Sequence, residues 1–98
     1  MNSIFLVHIG NSVEKAFESL DLSRNFCFEE LTRSESEEPN YWTSRLEKHD
    51  QTILNMAFEK QSKQFFIDHY NRVADKEDRF YIQEIEVHME EKSNGKQN

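Results

Sequence analysis

The chain opens on an apolar run, Ile4-Phe5-Leu6-Val7-His8-Ile9, which Gly10-Asn11 closes. Its apolar side chains occupy successive positions, and successive residues of a strand point to opposite faces of a sheet. A run of this kind is typical of a strand that is buried on both faces. It therefore predicts a strand at the centre of a sheet.

The end of the chain carries a different pattern, which predicts a strand over 79–89. Its apolar and polar positions alternate as Ile85, Val87 and Met89 against Glu84, Glu86 and His88. Alternation indicates a half-exposed strand at a sheet edge, with its glutamates in water. The polar tail 90–98 is expected to be disordered.

Two helices are predicted between these strands. Ser12 can cap the first, over 13–20, and Ser62 can cap the second, over 63–74. Their apolar faces would consist of Val13, Ala16, Phe17 and Leu20 in the first and of Phe66, Tyr70 and Val73 in the second.

Two further strands are predicted in the remaining segments. Phe26 and Phe28 alternate with polar or small residues, which favours a strand over 25–32, and a similar alternation favours one over 52–58. A helix is the alternative for the second segment, because apolar residues there also recur at spacings of three and four. That stripe consists of Trp42, Leu46, His49, Ile53 and Met56.

In chain order these elements read β-α-β-β-α-β, the ferredoxin-like pattern. We therefore predict a single α+β domain over 1–89 with an antiparallel sheet, in which the first strand is central and the last lies at an edge beside it. The alternative is a helical hairpin over 40–75 flanked by a two-stranded sheet.

The formal net charge of −7 is concentrated in two stretches. The segment 29–38 holds five glutamates and one arginine, and the segment 84–92 holds four glutamates and one lysine. No cluster of lysine and arginine is present to neutralise phosphates. We therefore expect neither direct nucleic-acid binding nor attraction to anionic membranes.

Cys27 is the only cysteine, so no internal disulfide can form and a reducing cytoplasm is the expected compartment. The apolar run at 4–9 is too short for the core of a signal peptide or for a membrane span.

No catalytic, cofactor or metal site is predicted. Metal-binding motifs contain histidine pairs at helical i, i+4 spacing or cysteine pairs, and this sequence has neither. His49-Asp50 resembles the paired ligands of metal-dependent phosphohydrolases, but the further ligands of that site are missing. Cys27 lies between Phe26 and Phe28, which indicates a core residue and not an activated nucleophile.

The hypothesis that remains is a non-enzymatic protein that binds a basic surface of another protein through its acidic residues. The predicted binding residues are Glu29, Glu30, Glu35, Glu37, Glu38, Tyr41, Trp42, Glu84 and Glu86. In size and charge the chain resembles the small inhibitors that phages and mobile elements encode against host nucleases and defence systems. The alternative is a small-ligand-binding or regulatory ferredoxin-like domain. A homodimer through a sheet edge or face is compatible with both.

Overall fold

The computed structural model describes residues 2–33 and 40–87, which form one small α+β domain. Three antiparallel strands make a sheet of order β2-β1-β3, and three helices precede the last strand. The elements are β1 (Asn2–Ile9), β2 (Ser12–Phe17), α1 (Leu20–Thr32), α2 (Lys48–Glu59), α3 (Lys63–Val73) and β3 (Phe80–Val87). The predicted α+β class and antiparallel sheet are confirmed, and so are the central first strand and the edge position of the last.

A tight hairpin connects β1 and β2, so the helix predicted over 13–20 is wrong. Gly10 and Asn11 form its two-residue loop, and Gly10 has a φ of +60°. Positive φ at the first central position is what a type II′ hairpin turn needs. The spacing of Val13, Ala16 and Phe17 suits a helix locally, but hydrogen bonding to β1 makes this segment a strand.

The strand predicted over 25–32 is also wrong, because this segment belongs to α1. The Ser19 hydroxyl caps the helix by accepting a hydrogen bond from the Leu22 N–H at 3.1 Å. The buried residues recur with helical spacing as Ser23, Cys27, Phe28 and Leu31. Phe26 and Phe28 alternate in sequence, yet on the helix they contact different neighbours, Phe17 and Phe66.

The strand predicted over 52–58 is wrong as well, and the helical alternative describes this region better. Residues of this segment lie in α2, which packs against α3. The face that α2 buries holds Leu54 and Ala57, whereas Met56 from the predicted apolar stripe is exposed. The helix predicted over 63–74 is confirmed by α3.

The resulting order, β-β-α-α-α-β, replaces the predicted ferredoxin-like order. The alternative correctly placed a pair of helices in this region, but the sheet has three strands and α1 is a third helix. Both predictions missed the hairpin, which moves the second strand ahead of all the helices.

All three helices lie on one side of the sheet, where α1 contacts every strand. Two side chains of α3 hold the start of β3. The Tyr70 hydroxyl donates to the Asp78 carbonyl at 2.8 Å, and the Asn71 amide makes two hydrogen bonds with the backbone of Phe80. The buried core consists of Val7, Cys27, Phe28, Leu31, Leu54, Ala57, Phe66, Ile67, Tyr70, Ala74 and Phe80.

The pairing register assigns each strand residue to one face of the sheet. The covered face, toward the helices, holds Ser3, Phe5, Val7, Ile9, Ser12, Lys15, Phe17, Phe80, Ile82, Glu84 and Glu86. Glu14 is the extra residue of a bulge in β2 and has no partner in the register. The open face holds Asn2, Ile4, Leu6, His8, Val13, Ala16, Tyr81, Gln83, Ile85 and Val87.

This assignment corrects the expected orientation of the last strand. Glu84 and Glu86 share the face of Phe80, although they lie beyond its buried part and are exposed. Ile85 lies on the open face with 39% of its surface exposed.

No helix in the described ranges, 2–33 and 40–87, has the length and apolar character that a membrane crossing demands.

Candidate functional site

The predicted binding residues fall into two groups at opposite ends of β3. One group lies at the end of α1 and in the turn that follows Asn40, where the Trp42 ring contacts Phe80 edge-to-face at 5.1 Å. Glu84 lies four residues further along the strand, about 13 Å away at about 3.3 Å per residue. Glu35, Glu37 and Glu38 lie outside the described residues.

The first group is largely engaged within the domain. Glu30 forms an ion pair with Arg33 at 2.6 Å and accepts a hydrogen bond from the Trp42 indole at 3.3 Å. Trp42 is half-buried against the core, whereas Tyr41 and Glu29 are exposed. The Arg45 guanidinium donates a hydrogen bond to the Tyr41 hydroxyl oxygen at 2.6 Å.

The Asn40 side chain joins the end of α1 to the turn that follows Asn40. Its side-chain amide donates to the carbonyls of Glu30 and Arg33, at the end of α1, and its oxygen accepts from the Trp42 and Thr43 N–H groups. It therefore satisfies backbone groups on two segments at once. Residues of the first group, such as Glu30 and Trp42, therefore stabilise the domain as well as contributing to its surface.

The second group borders a hollow at the far end of the sheet, where the strands extend past the helices. We call it the acidic hollow and define it by Phe5, Phe17 and Leu22, which are apolar, and by a rim of Glu18 and Glu84, which Glu86 extends two residues beyond Glu84 on the same strand face. Its other side is lined by four residues of the open face, Asn2, Ile4, Ala16 and Val87. Its volume is about 910 Å³. Leu22 comes from the first turn of α1 and is half exposed, so the apolar part of the hollow is open to solvent.

One rim carboxylate is held in place by a neighbour. The Ser3 hydroxyl donates to Glu84 Oε2 at 2.7 Å, and Ser3 pairs in register with Glu86 on the adjacent strand. The second oxygen of Glu84 stays free to accept a hydrogen bond from a bound cation. A carboxylate that is already oriented loses less conformational entropy when a partner binds.

Lys15 is the only lysine or arginine in the three strands, and its side chain contacts aromatic rings and not the rim glutamates. The Lys15 ammonium lies 5.7 Å from the Phe26 ring centre and 6.0 Å from that of Phe17. Cation–π contacts of this length hold the ammonium on the aromatic rings. The three rim glutamates therefore dominate the electrostatics of the acidic hollow.

Sequence reasoning found two of these six residues, Glu84 and Glu86. It placed Phe17 on the face of a predicted helix and gave no role to Phe5, Glu18 or Leu22. The signal that was available is Gly10-Asn11, because a two-residue hairpin loop would have put Phe17 opposite Phe5.

Asp50 and His69 form a pair of the kind found in acid–base catalysis, but its geometry is that of a clamp. His69 Nε2 lies 3.0 Å from Asp50 Oδ1, and an Arg72 guanidinium nitrogen lies 2.9 Å from His69 Nδ1. Both ring nitrogens are thus engaged, and His69 is only 8% exposed. The arrangement joins α2 to α3 and leaves no ring nitrogen for a substrate.

Cys27 lies in the core with no exposed surface. Burial raises the pKa of its thiol to about 12, so the thiolate that nucleophilic chemistry needs is absent at neutral pH. Within the described part of the chain, no three histidine, cysteine, aspartate or glutamate side chains come together as a metal site would require.

Comparisons with known proteins found no match to a family model, to a curated protein or to a solved structure. A function for this chain is therefore inferred from its own geometry and charge.

Proposed function

We propose that this protein is a non-enzymatic interaction protein whose acidic hollow binds a basic segment of another protein. The observation that carries the proposal is the combination of an open apolar floor with a rim of three glutamates. An apolar floor favours a hydrophobic side chain of the partner, and the rim favours lysine or arginine on either side of it.

The segment that fits is therefore amphipathic and basic. One apolar or aromatic side chain would enter between Phe5, Phe17 and Leu22, and flanking cations would meet Glu18, Glu84 and Glu86. Charge-assisted hydrogen bonds to carboxylates are stronger than neutral ones, and the Ser3 contact already orients Glu84.

The net charge of −7 supports the same class of partner. An acidic molecule is steered toward basic surfaces and is repelled by nucleic acids and by anionic membranes. Basic grooves are common on proteins that bind nucleic acids. In this proposal the acidic hollow binds a basic segment that borders such a groove, and the protein acts as an inhibitor by covering it, in the manner of the small acidic proteins that phages and mobile elements use against host enzymes.

The first experiment identifies the partner and tests the charge dependence together. The full chain is immobilised, lysate of the source organism is passed over it at low and at high salt, and the captured proteins are identified by mass spectrometry. We expect one basic protein that is retained at low salt and released at high salt.

The partner is then purified and its affinity is measured by calorimetry for three variants. The double variant E84Q/E86Q should bind about tenfold more weakly and with a shallower salt dependence. The double variant E47Q/E59Q removes the same charge at the two ends of α2 and should bind within about twofold of the unmodified chain. Equal affinity of these two double variants would refute the acidic hollow as the site.

The triple variant E35Q/E37Q/E38Q tests the other acidic stretch. If this variant loses affinity while E84Q/E86Q does not, the partner binds through the segment 29–38 and the acidic hollow is not the interface.

A further inference from the structure

The open face of the sheet is apolar where water would normally select polar side chains. Val13 and Tyr81 are 56% and 51% exposed, and Ile4 and Ile85 are each 39% exposed. None of the ten residues assigned to this face is aspartate, glutamate, lysine or arginine, although such residues make up 32% of the chain.

Antiparallel sheets with one face in water usually alternate apolar and polar residues. The central strand β1 does not, because Ile4 and Leu6 on the open face are as apolar as Phe5 and Val7 on the covered face. Its composition is that of a strand covered on both sides, whereas the helices of the chain cover only one. An exposed apolar patch of this kind indicates a contact surface.

We propose that the open face binds a second copy of this chain, so that two sheets pack face to face in a symmetric dimer. The charge of the chain is the first reason. Two molecules of net charge −7 repel one another, and the repulsion is smallest where they meet through surfaces without charged groups. A basic partner, by contrast, would gain nothing from a face that has no carboxylates.

Self-complementarity is the second reason. A two-fold axis between the copies places the two β1 strands over one another, which brings Ile4 and Leu6 against the aliphatic residues of the opposite sheet. Sheets that pack in this way lie about 10 Å apart, and their side chains interdigitate to form a shared core.

The sheet edges are less suitable for self-association. The edge strand β2 contains a bulge opposite Val7 and His8, which interrupts the ladder that a further strand would have to continue. The other edge strand, β3, carries the exposed charges of Glu84 and Glu86, and charged side chains on an edge strand oppose further pairing. A face contact avoids both obstacles.

The area of the face sets the expected strength. Three strands of six to eight residues span at most roughly 26 Å by 14 Å, or just under about 400 Å² per copy and about 800 Å² for the two copies together. This total is below the roughly 1,200 Å² at which standard specific interfaces begin, and it is typical of weak, transient contacts. The dimer should therefore be reversible, with a dissociation constant in the micromolar range.

Sedimentation equilibrium of the full chain over about a hundredfold range of concentration tests the proposal. We expect the mean mass to rise from 11.8 kDa toward twice that value as the concentration passes through the micromolar range. A mass that stays at 11.8 kDa up to high-micromolar concentration would overturn the proposal, and the face would then belong to a different protein.

Two lysine variants locate the contact. Ile85→Lys places a charge on the open face, and Met56→Lys makes the same change in charge at an exposed position on α2. Ile85→Lys should raise the dimer dissociation constant at least tenfold, whereas Met56→Lys should leave it within about twofold. Circular dichroism confirms that both variants are folded. If both dimerise equally well, the interface lies elsewhere and the proposal is refuted.

The dimer test is separate from the test of the proposed function, because sedimentation of the chain alone involves no basic partner. The acidic hollow and the open face share Asn2, Ile4, Ala16 and Val87, so the variants that separate the two contacts are those of the glutamates. E84Q/E86Q changes residues of the covered face and should leave the dimer intact while it weakens binding of the basic partner.

Discussion

The two faces of the sheet are built from the same three strands, but the helices bury one face and leave the other exposed. On the covered face, Val7 and Phe80 have no exposed surface. On the open face, Ile4, three residues before Val7, is 39% exposed, and Tyr81, which follows Phe80 directly, is 51% exposed. Strand geometry sends adjacent residues to opposite sides, but it does not supply a covering layer. The helices make the difference.

Apolar side chains therefore have two roles in this protein, one on each face of the sheet. Those of the covered face stabilise the monomer, because α1 and α3 exclude water from them. Those of the open face add little to the monomer and are available for contacts with another molecule.

Substituting neighbouring aromatic residues on the two faces should show the largest contrast. Phe80→Ala removes a ring that contacts Trp42 and Tyr70 in the core and should lower the free energy of unfolding by about 3–5 kcal/mol. Tyr81→Ala removes a ring that is stacked on His8 at the surface and should cost less than about 1 kcal/mol.

Urea unfolding at low protein concentration, where the chain is monomeric, measures both values. Equal losses for the two variants would mean that the open face is covered within the monomer, which contradicts the comparison.

A smaller loss is expected at the turn that sets the register of both faces. A Cβ on Gly10 would lie 2.5 Å from the carbonyl oxygen of Glu77, and the φ of +60° is strained for any other residue. Gly10→Ala should therefore lower stability by roughly 2–3 kcal/mol.

Asn11→Ala is the matched control in the same turn, because Asn11 does not require positive φ. It should cost less than about 1 kcal/mol. If thermal or urea unfolding gives the same value for both variants, the turn does not depend on the glycine.

The smallest expected effect is the pH dependence of stability that results from burial of Cys27 in α1, the helix that packs on the covered face. The pKa of Cys27 is raised from 9.0 to about 12 in the folded state, so above pH 9 the unfolded chain releases a proton that the folded chain keeps. Stability then falls as pH rises, by up to about 1.4 kcal/mol per pH unit from this group. Burial also raises the pKa of Tyr70 above 10.0, which adds a loss of the same sign at higher pH.

Cys27→Ala should remove the part of this loss that begins at pH 9. Unfolding free energies of both proteins at pH 8, 9 and 10 provide the measurement. Parallel curves would show that water reaches the thiol and that α1 does not seal the covered face.

Several elements could be predicted because their signals are local. The helix α3 follows from the spacing of Phe66, Tyr70 and Val73, and β3 follows from its alternation. The segments that became β2 and α1 could not be assigned in the same way. Val13, Ala16 and Phe17 suit a helix as well as a strand, and only pairing with Leu6 and Phe5 decides between them.

The candidate site was predicted in part for a related reason. Exposed glutamates can be read from the sequence, so Glu84 and Glu86 were found. Their separation from Glu29 and Glu30 depends on the path of α1, which the pattern of residues does not reveal. The apolar floor comes from three different elements, β1, β2 and α1, and no local signal joins them.

The sequence by itself determined the mixed α+β class, the acidic surface and the apolar character of β1 on both sides, because composition and periodicity are properties of the local chain. The tertiary structure decided the order of the elements, the face of β1 that is covered and the position of the acidic hollow. Strand pairing and helix packing bring together residues that are far apart in the chain, such as Ile9 and Phe80. Their free energy depends on which partners meet, and that information is absent from any short stretch of sequence.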